Sequence, residues 1–234
     1  MANKPLCIVA GVGPGNGMAF TRKFLTQGYQ VAILARNLER LQDYAADNQD
    51  IVPFTCDLSD PESIQSTFAS IHESLGPPTV VIYNAGKGVF GTAMDATVGD
   101  FEEAWRLNTL GLLTVAQETA PVMVKNGGGS LLVTGATASL RGGANFAAFS
   151  SAKGAQRHLA QSLARSLGTQ GIHVALVIID GIIDSDLARS RFPDKPDSFF
   201  LQADAIAETY FNLSKQHPSA WTFEVDLRTS AESW

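Results

Sequence analysis

At 234 residues, with 45% hydrophobic and 17% charged side chains and a net charge of −6, the sequence has the composition of a globular chain able to bury a sizeable core. The acidic balance and the lack of any Lys/Arg-rich run argue against nucleic acid or anionic membrane as partner, and no apolar run approaches membrane-spanning length. The start, Met1-Ala2-Asn3-Lys4-Pro5, passes straight into a strand with no room for a signal peptide, so a cytoplasmic location is expected.

The first predicted strand is Leu6-Cys7-Ile8-Val9-Ala10, a short apolar run that stops at a glycine cluster. Ala19, Phe20, Phe24 and Leu25 recur at helical spacing until Gly28 closes the helix. Val31-Ala32-Ile33-Leu34-Ala35 predicts a second strand, followed by a helix around Leu38, Leu41 and Ala45. Ile51-Val52-Pro53-Phe54-Thr55-Cys56 predicts a third, whose Pro53 fits best near a sheet edge. Asp57-Leu58-Ser59-Asp60-Pro61 caps a helix with Ile64, Phe68, Ile71 and Leu75 on its buried face.

The fourth strand, Thr79-Val80-Val81-Ile82-Tyr83, ends at Asn84-Ala85-Gly86. A long helical region from about Thr97 to Lys125 precedes the fifth strand, Ser130-Leu131-Leu132-Val133-Thr134. Another helix, from about Phe146 to Leu167, precedes the sixth, Val174-Ala175-Leu176-Val177-Ile178-Ile179. A short helix near Ala203 to Leu213 and a strand around Trp221 to Leu227 complete the pattern. Apolar strands alternating with helices predict a Rossmann-like, doubly wound parallel sheet of about seven strands, with helices on both faces and one α/β domain over residues 1–234. The ligand crevice of such a sheet lies beyond the carboxyl ends of its strands, where the strand order switches.

Cys7 and Cys56 fall in predicted strands and read as buried thiols of a reducing compartment. His72, His158, His173 and His217 are scattered, none at i,i+3 or i,i+4 spacing to another, so no metal site is expected. The glycine cluster Gly11-Val12-Gly13-Pro14-Gly15-Asn16-Gly17 stands between strand and helix, the context in which a glycine-rich turn cradles a pyrophosphate. A G-x-G-x-x-G reading fails at Asn16; Gly-x-x-x-Gly-x-Gly fits on Gly11, Gly15 and Gly17. A tight turn with no ligand is the competing reading. At the end of the second strand, where an acidic residue would bind a ribose 2′-hydroxyl, Ala35-Arg36 stands instead. A guanidinium can hold a 2′-phosphate, so NADP(H) is expected over NAD(H), unless Arg36 merely faces solvent at the start of a helix.

The glycine spacing resembles that of the short-chain dehydrogenase/reductase family, and the likeness runs from Leu6 to about Leu227. The resemblance implies cofactor contacts at Gly11, Gly15, Asn16, Gly17, Arg36, Asp57, Leu58, Asn84, Ala85, Gly86, Lys153, Gly181 and Ile183. Asp57 would lie near the adenine ring, Asn84-Ala85-Gly86 beside the glycine loop, and the backbone of Gly181 near the nicotinamide carboxamide. Asn108 would interrupt its helix and hold a water that connects to the catalytic lysine; a polar residue satisfied within a helix is the competing reading. The family's catalytic set is Asn, Ser, Tyr and Lys. Here Asn108 and Lys153 are retained, Phe149 stands four residues before Lys153 in the Tyr position, and Ala136 stands thirteen before Phe149 in the Ser position.

That departure is chemical. Phenylalanine has no proton to give, and losing a general acid removes a factor of roughly 10²–10⁴, or about 3–5 kcal/mol of barrier. A lost oxyanion-type donor removes roughly another 10²–10³. Thr137, Ser139, Ser150 and Ser151 are the nearby hydroxyls; helix geometry turns Ser150 and Ser151 away from the Phe149–Lys153 face. Asp180 replaces the family's proline before Gly181, Asp184 and Asp186 read as exposed loop acids, and Phe192, Phe199, Phe200 and Leu201 are available to line an apolar pocket under a short lid. Two functions are expected to compete. One is an NADP(H)-dependent oxidoreductase with a non-standard site, acting on a small carbonyl or alcohol. The other is a catalytically silent NADP(H)-binding sensor or structural subunit. A crevice for a different ligand is a third reading. The apolar surface of the two long helices predicts a homodimer or homotetramer.

Overall fold

The central apolar runs of the sequence become strands buried on both sides, because no face of them offers a polar row to water, while the edge strands are mostly half-buried. The computed structural model describes residues 4–231; the start expected from Met1-Ala2-Asn3 lies outside the described residues. In chain order the elements are β1 (Leu6–Ala10), α1 (Asn16–Thr26), β2 (Gln30–Ala35), α2 (Leu38–Ala45), β3 (Ile51–Thr55), α3 (Pro61–Leu75) and β4 (Pro78–Tyr83). There follow α4 (Val98–Trp105), a π turn (Arg106–Leu110), α5 (Gly111–Lys125), β5 (Gly129–Ala136), α6 (Ala147–Gly168) and β6 (Ile172–Asp180). The chain continues through β7 (Ile182–Ile183), α7 (Asp186–Arg191), β8 (Phe200–Leu201), α8 (Ala203–Ser214) and β9 (Glu224–Arg228).

Seven strands pair in the order β3-β2-β1-β4-β5-β6-β9, all parallel, while β7 and β8 form a separate two-stranded pair. The order reverses between β1 and β4, so the loops leaving their carboxyl ends diverge and open a crevice there. One core packs α3, α5 and α6 on one face through residues such as Phe68, Leu112 and Ala160. The other packs α1, α2 and α8 through Phe20, Phe24, Leu41 and Tyr210. Full burial of each such side chain contributes about 1.5–3 kcal/mol. Pro53 lies in β3 at the sheet edge, where its missing N–H breaks no ladder. Asp60 caps α3 by accepting from Glu62 N, and Pro61 takes the first helical position.

Three expectations need correction. The single helix over Thr97–Lys125 is two helices joined by the π turn. Asn108, in that turn, donates through Nδ2 to Ala104 O in α4. Gly111 then lets the chain press against β-strand ends, since a Cβ there would lie 2.1 Å from Leu58 O. The last strand begins at Glu224 instead of Trp221, because the indole stacks on His173 with centroids 5.0 Å apart and donates to Gln216 O. The lid phenylalanines do not line the crevice. Phe199 packs against Phe192 at 5.6 Å and Phe200 at 5.1 Å, and the Arg189 guanidinium covers Phe200 at 4.2 Å.

Candidate functional site

A cavity of about 750 Å³ opens at the switch point between β1 and β4. Its floor is the glycine turn. Gly11 has φ +98°, and a Cβ there would meet Ala85 N at 2.6 Å; a Cβ on Gly17 would meet Val12 Cα at 2.6 Å. These two glycines therefore permit the turn to fold tightly against the β4 exit and against itself. Gly15 differs: a Cβ would meet only Ile183 Cγ2, at 3.9 Å, so no protein atom fills the space before the first turn of α1. That helix terminus has no side-chain cap and no acidic residue in its first turn, and it faces the cavity. Asn16, in that turn, is 7% exposed with its Oδ1 unpartnered. Free N–H groups and a helix dipole at a cavity wall fit the diphosphate of a dinucleotide.

Asn84 ties the neighbouring strand ends together. Its Nδ2 donates to Gly11 O at 2.8 Å, and its Oδ1 accepts from Thr134 Oγ1, which in turn lies 2.8 Å from Tyr210 Oη. The glycine turn, β4, β5 and α8 are thus held by one polar chain. At one end of the cavity stand Arg36, Asp57 and Leu58. Asp57 Oδ1 accepts from Ser59 N and Ser59 Oγ, at 2.9 and 2.6 Å. The hydroxyl bond from Ser59, with help from the Arg36 charge, holds its carboxyl below the usual range. Arg36 is solvent-exposed at the exit of β2 and forms part of the wall.

At the other end Phe149 and Lys153, one turn apart on α6, face the cavity beside Ala136 at the exit of β5. Lys153 is 4% exposed. Its Nζ donates to Thr134 O and to Gln156 Oε1, both at 2.9 Å, and lies 5.9 Å from the Phe149 ring centroid. Burial pushes its amine down to about 7, since nothing but neutral oxygen compensates the lost hydration. The hydroxyls near it are engaged elsewhere. Thr137 Oγ1 donates to Asp180 Oδ1 at 2.7 Å, Ser139 to Ala136 O, Ser150 to Phe146 O and Ser151 to Ala148 O.

Of the catalytic and cofactor-contact positions that the resemblance implies, Asn108 alone is not in the cavity wall; it is fully buried behind Gly86, with Oδ1 unpartnered. Gly181 and Ile183 line the wall beside Ser185, which sequence reasoning missed. Ser185 caps α7 by accepting from Ala188 N. Lys87 and Glu103 were missed as well; both line the cavity and pair at 2.6 Å. So was Gln156, although its i+3 spacing from Lys153 places both on one helical face. Asp184 is not a free loop acid: it accepts two bonds from Arg189, at 2.7 and 2.8 Å, and one from Gln202, which together hold its carboxyl down at about 2. Among the described residues no group of His, Cys, Asp or Glu is arranged to hold a metal ion, and no helix is long and apolar enough to cross a membrane.

Residues 6–196 match the family model described as short chain dehydrogenase. A 3-oxoacyl-[acyl-carrier-protein] reductase of Homo sapiens is 26% identical over 185 residues, covering 79% of this chain and 78% of its own. A short-chain dehydrogenase from Rhodopseudomonas palustris superposes with a TM-score of 0.82 at 32% identity, over 96% of this chain and 98% of its own. An alcohol dehydrogenase from Thermococcus sibiricus, complexed with 5-hydroxy-NADP, superposes at 0.87 with 24% identity over 98% of both chains.

Proposed function

The chain belongs to the short-chain dehydrogenase family, and from that premise we propose that it is an NADP(H)-dependent oxidoreductase whose proton-donating site is rebuilt. One observation carries the reading: a single cavity joins an uncapped helix terminus at Gly15, an exposed arginine at Arg36 and a buried lysine at Lys153. The terminus of α1 holds the diphosphate, and Arg36 holds a ribose 2′-phosphate by paired charge-assisted bonds. Asp57 and Leu58 border the adenine end, Ala85 and Gly86 leave room for the backbone to approach, and Gly181 and Ile183 flank the nicotinamide. Bound there, the cofactor supplies or accepts hydride. Lys153 binds the nicotinamide ribose, a role that requires no proton transfer.

Ala136 and Phe149 stand where the family's serine and tyrosine would act, and neither side chain can polarise or protonate a carbonyl. This favours a second reading, a silent NADP(H)-binding sensor or structural subunit. The proposed substrate of the first reading is a small carbonyl or alcohol that enters beside Phe149. In both readings the chain assembles as a homodimer or homotetramer; exposed Val98 and Trp105 on α4 are available to such a contact.

Binding and hydride exchange decide among them. NADPH is expected to bind at least several-fold tighter than NADH, and Arg36→Ala to erase the difference by removing the phosphate partner; equal affinities in the wild-type protein would sink the NADP(H) assignment. Turnover of NADPH with any member of a broad carbonyl panel supports the oxidoreductase. Tight NADPH binding with no turnover across the panel leaves the silent reading.

A further inference from the structure

The environment of Lys153 contains a residue that the family resemblance does not supply. Gln156 is fully buried, and both ends of its amide are used. Oε1 accepts from Lys153 Nζ at 2.9 Å, while Nε2 donates to the main-chain oxygen of Asn108 at 2.8 Å. The orientation of this amide is fixed by its partners, because an ammonium only donates and a carbonyl only accepts. The Asn108 carbonyl belongs to the π turn, which is clamped to α6 a second time by Thr109 Oγ1 donating to Ala152 O at 3.0 Å. Gln156 therefore joins the lysine to the one irregular turn between α4 and α5.

The resemblance implies a water between Asn108 and the lysine. Here the carbonyl of Asn108 already accepts from a side-chain amide. A water passes a proton by accepting one and releasing another, whereas an amide does not exchange protons between its oxygen and its nitrogen. The contact is thus suited to holding Nζ and unsuited to relaying a proton inward. The charged side chains sharing the cavity are Arg36, Asp57, Lys87 and Glu103. Asp57 is bonded to Ser59 and Glu103 to Lys87, while Nζ donates to the neutral oxygens of Thr134 and Gln156.

We infer that Gln156 is a positioning residue: its amide anchors Lys153 Nζ between α6 and the π turn and aims it at the cavity. The consequence for cofactor binding rests on the reading of Lys153 as the ribose-binding lysine; the effect on the lysine itself does not.

The test is an NMR titration of carbon-13-labelled lysine in the cofactor-free chain, for wild type, Gln156→Glu and Gln156→Met, with thermal melts alongside. A carboxylate at this distance from Nζ raises the Lys153 midpoint by about 1–3 units, and loss of the acceptor in Gln156→Met lowers it. In the same Met variant the NADPH dissociation constant rises about tenfold, the size expected for one hydrogen bond to a charged group. Variants that melt like wild type and keep its Lys153 midpoint overturn the inference. A measurement on the unmodified chain keeps the question open to refutation if a variant fails to fold. There the Gln156 side-chain amide signal must shift with the Lys153 midpoint, and independence of the two overturns the inference. Absence of NADPH binding in the wild type would defeat the cofactor reading and leave the titration result standing.

Discussion

Lys153 is 4% exposed and is held by Thr134 O and Gln156 Oε1, so its charge is balanced by dipoles alone. Its folded-state value of about 7 lies below the ordinary 10.5. Between these values the unfolded chain binds a proton that the folded chain does not, so this group makes stability rise with pH across that window. Below it both states are protonated, and the full cost of burying the ammonium is present. Lys153→Met removes the group. Relative to wild type, the variant is therefore expected to be most favoured near neutral pH and below, and its advantage to shrink by about 4 kcal/mol as pH approaches 10. Denaturant unfolding of both proteins at several pH values measures this, and a constant difference would show that the lysine does not titrate in the folded state. The cysteines show burial acting on a thiol: Cys7 and Cys56 are unbridged and buried, and burial raises both, at Cys56 against the lowering effect of hydrogen bonds with Thr67 and Ser63. Their reading as buried thiols needed only their place in apolar runs. Gln156 was not legible in that way, since a glutamine on a helix is ordinarily solvated and only the partner turn makes it a bridge.

Among the elements, the glycine turn separates glycines that the fold requires from those it merely contains. A Cβ on Gly17 would lie 2.6 Å from Val12 Cα, a backbone atom that cannot swing aside, whereas a Cβ on Gly13 would meet nothing within 4 Å. Gly17→Ala is expected to cost about 1–3 kcal/mol of stability, as overpacking does. Gly13→Ala should stay within about 0.5 kcal/mol of wild type. Parallel urea unfolding curves compare them, and equal losses would contradict the close packing of the turn. The sequence pattern made the elements legible wherever periodicity is long: all seven strands of the main sheet and most helices between them follow from apolar runs and caps, but α4 and α5 read as one helix and the short α7 gave no signal. It failed where tertiary contact decides. The π turn depends on Gly111 passing Leu58 O, and the start of β9 depends on Trp221 preferring His173 to a strand. The β7–β8 pair is two residues per strand, too short for any period to register. The lid aromatics looked like pocket lining because their apolarity is visible, while the Arg189 contact that turns them onto one another is not.

For the whole molecule, membership in a family says what the fold can hold, and the site says what it can do. The sheet brings the exits of β1, β2, β4, β5 and β6 to one cavity, and that arrangement is independent of whether a proton donor is present. Placing Phe149 and Lys153 one turn apart keeps the geometry in which a phenol at position 149 would feel the lysine charge, since Nζ is 5.9 Å from the ring centroid. A cation within about 4–6 Å favours a phenolate and brings its pKa toward neutrality. Ala136 lies at the exit of β5 on the same wall, and in the proposed reading it takes the place of the hydroxyl that polarises a carbonyl. Introducing Phe149→Tyr and Ala136→Ser together is therefore expected to raise carbonyl reduction by at least about 10²-fold, the lower range of one general acid. Each single change should give less than its share, because donor and polarising group act on one oxygen. Single-turnover oxidation of NADPH with a carbonyl panel measures this, with NADPH binding as the control that the cavity is intact. No gain in a folded, NADPH-binding double variant would mean that the wall around Phe149 no longer receives a carbonyl in front of the nicotinamide. The geometry of the cavity would then serve binding of the cofactor itself.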